Sequence, residues 1–98
     1  MKMSEKELER KLVEGIIKLG GMCLKFTSPG LAGVPDRIVI LPGGRVIFVE
    51  MKAQNGRLSQ QQQAVLARFT RLGADWAVVS TPQLLEIFLE NCKGGTGE

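Results

Sequence analysis

A chain of 98 residues makes one domain with one modest core, because at that length only somewhat more than half of the unfolded surface can be buried. Apolar residues at 44% and charged residues at 23% are ordinary for a soluble globular protein. The longest apolar runs are strand-sized and the N-terminus is charged, so disorder, a membrane span and a signal peptide are not expected, and the cytosol is the expected compartment. Thirteen basic against ten acidic side chains, a net +3, permit a polyanionic partner without identifying one, while two distant cysteines and no histidine leave no zinc site and little case for a disulfide framework.

In chain order, Ser4 with Glu7 forms a capping box and Met3 with Leu8 a hydrophobic staple, which together start a helix. Leu8, Leu12, Ile16 and Leu19 recur at helical spacing until Gly20-Gly21 stop it. Over 22–27, Met22, Leu24 and Phe26 alternate with Cys23, Lys25 and Thr27, the period of a half-buried strand. Residues 28–33 are a loop. The runs 37–41 and 45–51 flank Pro42-Gly43-Gly44, the pattern of a tight antiparallel hairpin. Both runs are apolar on both faces, which predicts a sheet covered on both sides. After a polar turn over 53–57, Ser59 caps a second helix that runs to Leu72 and stops at Gly73, with Val65, Leu66, Phe69 and Leu72 as its buried stripe. Residues 76–79 read as a fourth strand, and Thr81-Pro82 starts a third helix over 84–89. The order is αβββαβα in a single domain over 1–92, with a flexible tail over 93–98.

A hairpin that pivots on Gly43 sets Leu41 opposite Arg45, Ile40 opposite Val46, Ile38 opposite Phe48 and Asp36 opposite Glu50. Directly opposed Cβ atoms lie about 5 Å apart, where two like charges are destabilising unless something neutralises them. A hard divalent cation does so: Asp36 and Glu50 can each give an oxygen to Mg²⁺ or Mn²⁺, which keep further positions for water and a substrate phosphate. Lys52 follows Glu50 by two residues and so shares its face of the strand, where an ammonium can orient a water or offset developing negative charge. Taken alone, an acid, a spacer and a lysine carry little meaning, and two solvated strand-end acids beside a solvated lysine would account for them. Their position at the ends of otherwise apolar strands argues for a site, since paired charges there cost stability unless used.

The segments Gly33-Val34-Pro35-Asp36-Arg37, Gly43-Gly44-Arg45-Val46-Ile47-Phe48-Val49-Glu50-Met51-Lys52 and Leu58-Ser59 with Gln62 resemble the VRR-NUC family, a branch of the PD-(D/E)xK nucleases, over about residues 4–80. The Pro-Asp, the Glu-x-Lys and a glutamine early in the next helix are jointly far more specific than any one of them. The resemblance implies a restriction-endonuclease-like α/β sandwich, αβββαβα, with a central mixed four-stranded sheet. It implies a metal-dependent phosphodiesterase with Asp36 and Glu50 as ligands of Mg²⁺ or Mn²⁺, Lys52 as the catalytic lysine, and a ligand glutamate on the first helix. Glu9 is the expected residue; Glu5, one turn away, can share or take that role, and a solvated acid favoured by the helix dipole is the plainer account of either. Gln62 is open between a site-facing amide and a capping-box residue, because Ser59-x-x-Gln62 is also a capping box.

Lys25, Arg37 and Arg57 are expected to meet phosphates, with Arg68 and Arg71 as weaker candidates, and with five aromatic residues recognition should rest on backbone and shape rather than on stacking. Stand-alone members of the family resemble phage-encoded homodimers acting on branched DNA. The expected activity is therefore endonuclease cleavage of DNA such as a Holliday junction, by a homodimer, in the cytoplasm of a bacterial host. Exposed apolar residues on the third helix, Leu85 or Phe88, are expected at the dimer interface. The competing readings are a non-catalytic DNA-binding module that keeps the fold, and a nuclease acting on flaps or RNA.

Overall fold

Ser4 opens the chain's first helix in the computed structural model, which describes residues 3–94. The Ser4 hydroxyl accepts from the Glu7 amide at 3.1 Å and the Glu7 carboxylate accepts from the Ser4 amide at 3.0 Å. Helix α1 spans Glu5–Lys18 and buries Leu8, Leu12 and Ile16 along one stripe. Strands β1 (Met22–Lys25), β2 (Arg37–Ile40) and β3 (Val46–Met51) form an antiparallel meander. Helix α2 (Gln60–Arg71) then crosses over to β4 (Asp75–Val79), which pairs with β3 in parallel, and α3 (Pro82–Gly94) closes the chain. The sheet is mixed, with strand order β1-β2-β3-β4, and the element order αβββαβα is the expected one.

The β2–β3 register sets Ile40 opposite Val46, Ile38 opposite Phe48 and Arg37 opposite Val49, as the Gly43 pivot predicts. The turn that fixes it has Pro42 at its second position and Gly43, at φ +93, at its third, with the Gly44 amide donating to the Leu41 carbonyl at 2.9 Å. Alternation along the strands then sorts side chains between two faces. Val39, Ile47, Val49, Met51 and Val79 pack with α1 and α3 into the main core. On the opposite face Phe48 lies between Phe26 and Phe69 of α2, with ring centroids 5.6 and 4.7 Å apart. Asp36 and Glu50 follow the even-numbered parity of this second face, at the sheet end remote from the hairpin turn.

Four expectations need correction. The core-facing residue of β1 is Cys23, while Met22 and Leu24 are exposed, because β1 is an edge strand beyond the cover of α2. Leu72 is 82% exposed, since it caps α2 instead of continuing its buried stripe. Leu85 and Phe88 belong to the core and offer nothing to a partner; Leu84 and Ile87 are the exposed apolar residues of α3. That helix also continues past Leu89, so Lys93 and Gly94 of the expected tail are helical, and the tail's remaining positions, 95–98, lie outside the described residues. Among the described residues no helix is long and apolar enough to cross a membrane.

Candidate active site

Asp36 is held from both neighbouring strands. Its carbonyl accepts from the Phe26 amide at 2.8 Å, and its carboxylate Oδ2 accepts from the Met51 amide, also at 2.8 Å. One further step of the β2–β3 register brings Asp36 beside Glu50, so the Met51 contact fixes the aspartate at the carboxylate pair. Glu50 is the buried charged residue of the described chain, at 3% exposure. Burial, then repulsion from the Asp36 charge, push its carboxyl up to about 7; Lys52 opposes the shift and Glu5 adds to it.

The two oxygens of Glu50 have different surroundings. Oε2 accepts from Gln62 Nε2 at 2.8 Å and lies 3.6 Å from Lys52 Nζ. Oε1 is buried with no hydrogen-bond partner. An orphaned carboxylate oxygen in a dry site carries a large desolvation cost, and the two carboxylates there are oxygen donors that suit a hard divalent cation. Among the described residues no group of three Asp, Glu, His or Cys side chains is placed to hold a metal by itself. Water and a substrate phosphate would complete the coordination of an ion held by Asp36 and Glu50.

Gln62 does both of the things expected of it as alternatives. Its Oε1 accepts from the Ser59 amide at 2.9 Å and its own amide donates to Ser59 Oγ at 3.0 Å, completing the capping box of α2. The remaining Nε2 donates to Glu50. The cap therefore determines which end of the amide faces the site. Gly33 brings the preceding loop against this same helix start: at φ +94, a Cβ there would fall 2.8 Å from the Gln61 backbone.

Glu9 is not brought to the pair. Its carboxylate Oε2 accepts from Arg37 Nε at 2.7 Å and lies 3.7 Å from Lys25 Nζ, beneath α1 on the other side of the sheet. Glu5, one turn earlier, is the first-helix acid whose charge reaches Glu50. One of the expected phosphate contacts changes meaning with it. Arg37 is 15% exposed and engaged by Glu9 and by the Cys23 carbonyl, so it is not available to a phosphate. Lys25 is well exposed on the rim of this cluster, and Arg57 is exposed in the loop after Lys52 with no ion pair among the described residues. Arg68 and Arg71 are exposed on the last turn of α2. Strand parity is the signal that separates Arg37 from the site, since it alternates with Asp36. The Met51 amide that holds Asp36 is a backbone group, visible in sequence only through the register.

The model of the VRR-NUC domain matches residues 3–82. The chain belongs to the VRR-NUC family. A phage relative of this VRR-NUC protein, named "Putative nuclease p44", from Acyrthosiphon pisum secondary endosymbiont phage 1, is 42% identical over 83 residues, which is 85% of this chain and 89% of the relative. A solved structure titled "VRR_NUC domain" superposes with a TM-score of 0.82 at 32% identity, covering 88% of this chain and 94% of that one. The VRR-NUC protein is thus a nuclease-family α/β fold over most of its length, and the matched span contains Asp36, Glu50, Lys52 and Gln62.

Proposed function

We propose that this VRR-NUC protein is a metal-dependent endonuclease that hydrolyses DNA phosphodiester bonds, with Asp36 and Glu50 holding Mg²⁺ or Mn²⁺, Glu5 as a further acid whose charge acts on Glu50, and Lys52 and Gln62 completing the site. The observation that carries the reading is the buried, partnerless Oε1 of Glu50 beside Asp36. When bound, such a cation supplies a water of lowered pKa and positive charge for the phosphoryl transition state. The chain's own residues do the rest. The Met51 amide orients Asp36, Gln62 holds Glu50 in one rotamer, and the Lys52 ammonium faces the same space to orient the attacking water or offset charge on the phosphate oxygens.

The substrate we assign is branched DNA such as a Holliday junction, cut by a homodimer in the cytoplasm of a bacterial host. Two arguments support this. The chain resembles a phage protein, and a twofold dimer of a small one-site domain presents two sites to the symmetric strands of a junction. Lys25 and Arg57 are the proposed phosphate contacts.

The test incubates the pure protein with linear, flap and four-way DNA and with RNA, in Mg²⁺, Mn²⁺ or EDTA, alongside Asp36→Ala and Lys52→Ala. Four-way DNA should be cut with either metal and left intact in EDTA or by either variant. Cutting that survives chelation or either substitution would overturn the mechanism, and a preference for linear DNA or RNA would overturn the substrate. A monomer in sedimentation at micromolar concentration would overturn the dimer.

A further inference from the structure

Helix α2 covers only part of the sheet's second face. It packs over β3 and β4, where the rings of Phe69 and Phe48 lie 4.7 Å apart and Thr70 Oγ1 accepts from the Trp76 indole at 2.8 Å. The β1–β2 half of that face is left open. The register aligns Met22, Ile40 and Val46 in one row and Leu24 with Ile38 in the next, and cross-strand neighbours in such rows lie about 5 Å apart. Met22, Leu24 and Val46 are 55%, 41% and 40% exposed, and Ile38 and Ile40 are half-buried. Five apolar side chains thus form one continuous floor with no charge on it, the kind of patch a soluble domain keeps for a partner. The exposed apolar residues of the helices differ, because charged neighbours interrupt them: Ile17 stands beside exposed Glu14 and Lys18, and Leu84 and Ile87 beside exposed Glu86 and Glu90.

What covers the floor follows from its chemistry and its shape. Nucleic acid does not fit, since five apolar side chains offer a phosphate nothing to pair with. A helix does fit: from β1 to β3 the floor spans two strand spacings, about 10 Å, which is the diameter of a helix with its side chains. Such a helix stands next to it. α2 rises from the sheet as a ridge beside the floor, and a ridge beside a floor of equal width is self-complementary about a twofold axis. The outward face of α2, opposite the buried Val65 and Leu66, carries Gln60, Ala64, Ala67 and Arg71 at helical spacing, all exposed. Its middle is therefore small enough to lie close on a sheet. We propose that the floor is the interface of a homodimer, in which α2 of a second copy lies on Met22, Leu24, Ile38, Ile40 and Val46. Each copy then supplies one floor and one helix, and two such contacts together bury on the order of the 1,200 Å² at which specific dimers begin. This rests on the homodimer reading above and states where its two copies meet.

The experiment is sedimentation velocity on the whole protein at micromolar concentration, for wild type, Leu24→Glu, Val46→Glu, Ala67→Glu and Ile87→Glu, with urea melts to show that each is folded. Wild type should sediment as a dimer. A carboxylate at Leu24 or Val46 should weaken association at least ~100-fold and leave monomer, because the axis buries the unpaired charge twice. Ala67→Glu should do the same, although Ala67 is exposed on the side of α2 turned away from its own sheet. Ile87→Glu places an equal charge on α3, at a position 56% exposed, and should remain dimeric. All four positions are exposed, so the melts should move little. A dimer that survives Leu24→Glu and Val46→Glu, a dimer that survives Ala67→Glu, or equal dissociation by Ile87→Glu would each overturn the interface while leaving a homodimer. A monomeric wild type would overturn the homodimer reading and the interface with it, an outcome distinct from the other three.

Discussion

Gln62 Nε2 donates to Glu50 Oε2 at 2.8 Å while Oε1 of the same amide accepts from the Ser59 backbone, so one side chain joins the start of α2 to the buried carboxylate. The two duties can be separated by mutation. Ser59→Ala removes the hydroxyl half of the cap and leaves Gln62 its contact with Glu50; it should cost about 1 kcal/mol of stability and change cleavage little. Gln62→Ala should cost a similar amount through the cap and, in addition, lower the cleavage rate about 10- to 100-fold, because Glu50 loses the donor that orients it. Urea melts and single-turnover cleavage on the same preparations check both. Equal losses of activity in the two variants would assign the whole effect to the helix.

The metal-free protein should grow less stable as pH rises toward neutrality. An ordinary glutamate carboxyl titrates near 4.5, whereas that of folded Glu50 titrates near 7. The folded state thus binds the extra proton across this window, its contribution is full below about 4.5, and it is lost as pH passes 7. The change is on the order of 3 kcal/mol for a shift of this size. Urea denaturation in EDTA at pH 5 and pH 8 measures it, with Glu50→Gln as the variant in which the slope should disappear. Loss of Lys52 should steepen the effect, since Lys52 is the neighbour that opposes the shift.

Much of this site was readable because a turn fixes a register. Pro42-Gly43-Gly44 admits few hairpins, and with it the opposition of Ile38 to Phe48 and the parity of Asp36 and Glu50 follow. The helix–sheet relationship was not readable in the same way. Glu5 and Glu9 share one face of α1, so helical periodicity cannot say which of them meets the sheet; Glu9 does, through Arg37 on the face opposite the carboxylate pair. Gln62 resisted assignment for a different reason. Its two readings use opposite ends of one amide, and both are realised. Met22 and Leu24 alternate like buried residues, yet burial on the second face depends on how far α2 extends over the sheet, which no local pattern encodes.

Binding of Mn²⁺ should itself depend on pH through Glu50. The ion and the proton compete for one carboxylate, so affinity should rise with pH up to about 7 and level off above it, with up to a tenfold loss for each unit below. Calorimetry in two buffers of different ionisation enthalpy should register release of up to one proton at pH 6 and little at pH 8. Asp36→Asn removes the charge of one proposed ligand and the main charge that repels Glu50, and should abolish tight binding. An affinity flat between pH 5.5 and 8 would detach Glu50 from the ion.

Two glycines with nearly the same backbone angle make opposite predictions for activity. Gly33 and Gly43 have φ of +94 and +93, so alanine at either position enters the left-handed region at a cost of about 1–2 kcal/mol. At Gly43 the added Cβ meets nothing within 4 Å, and the strain is the whole effect. At Gly33 the Cβ falls 2.8 Å from the Gln61 carbonyl, which is backbone at the start of α2 and cannot swing aside as a side chain could. The loop or the helix must move, and Gln62 follows directly on Gln61, so its bond to Glu50 lengthens or breaks. Gly33→Ala should therefore lose more stability than Gly43→Ala and should reduce cleavage toward the Gln62→Ala level, while Gly43→Ala keeps near-wild-type cleavage at temperatures where it is folded. Matching activities in the two variants would show that the approach of Gly33 to α2 has no part in holding Glu50.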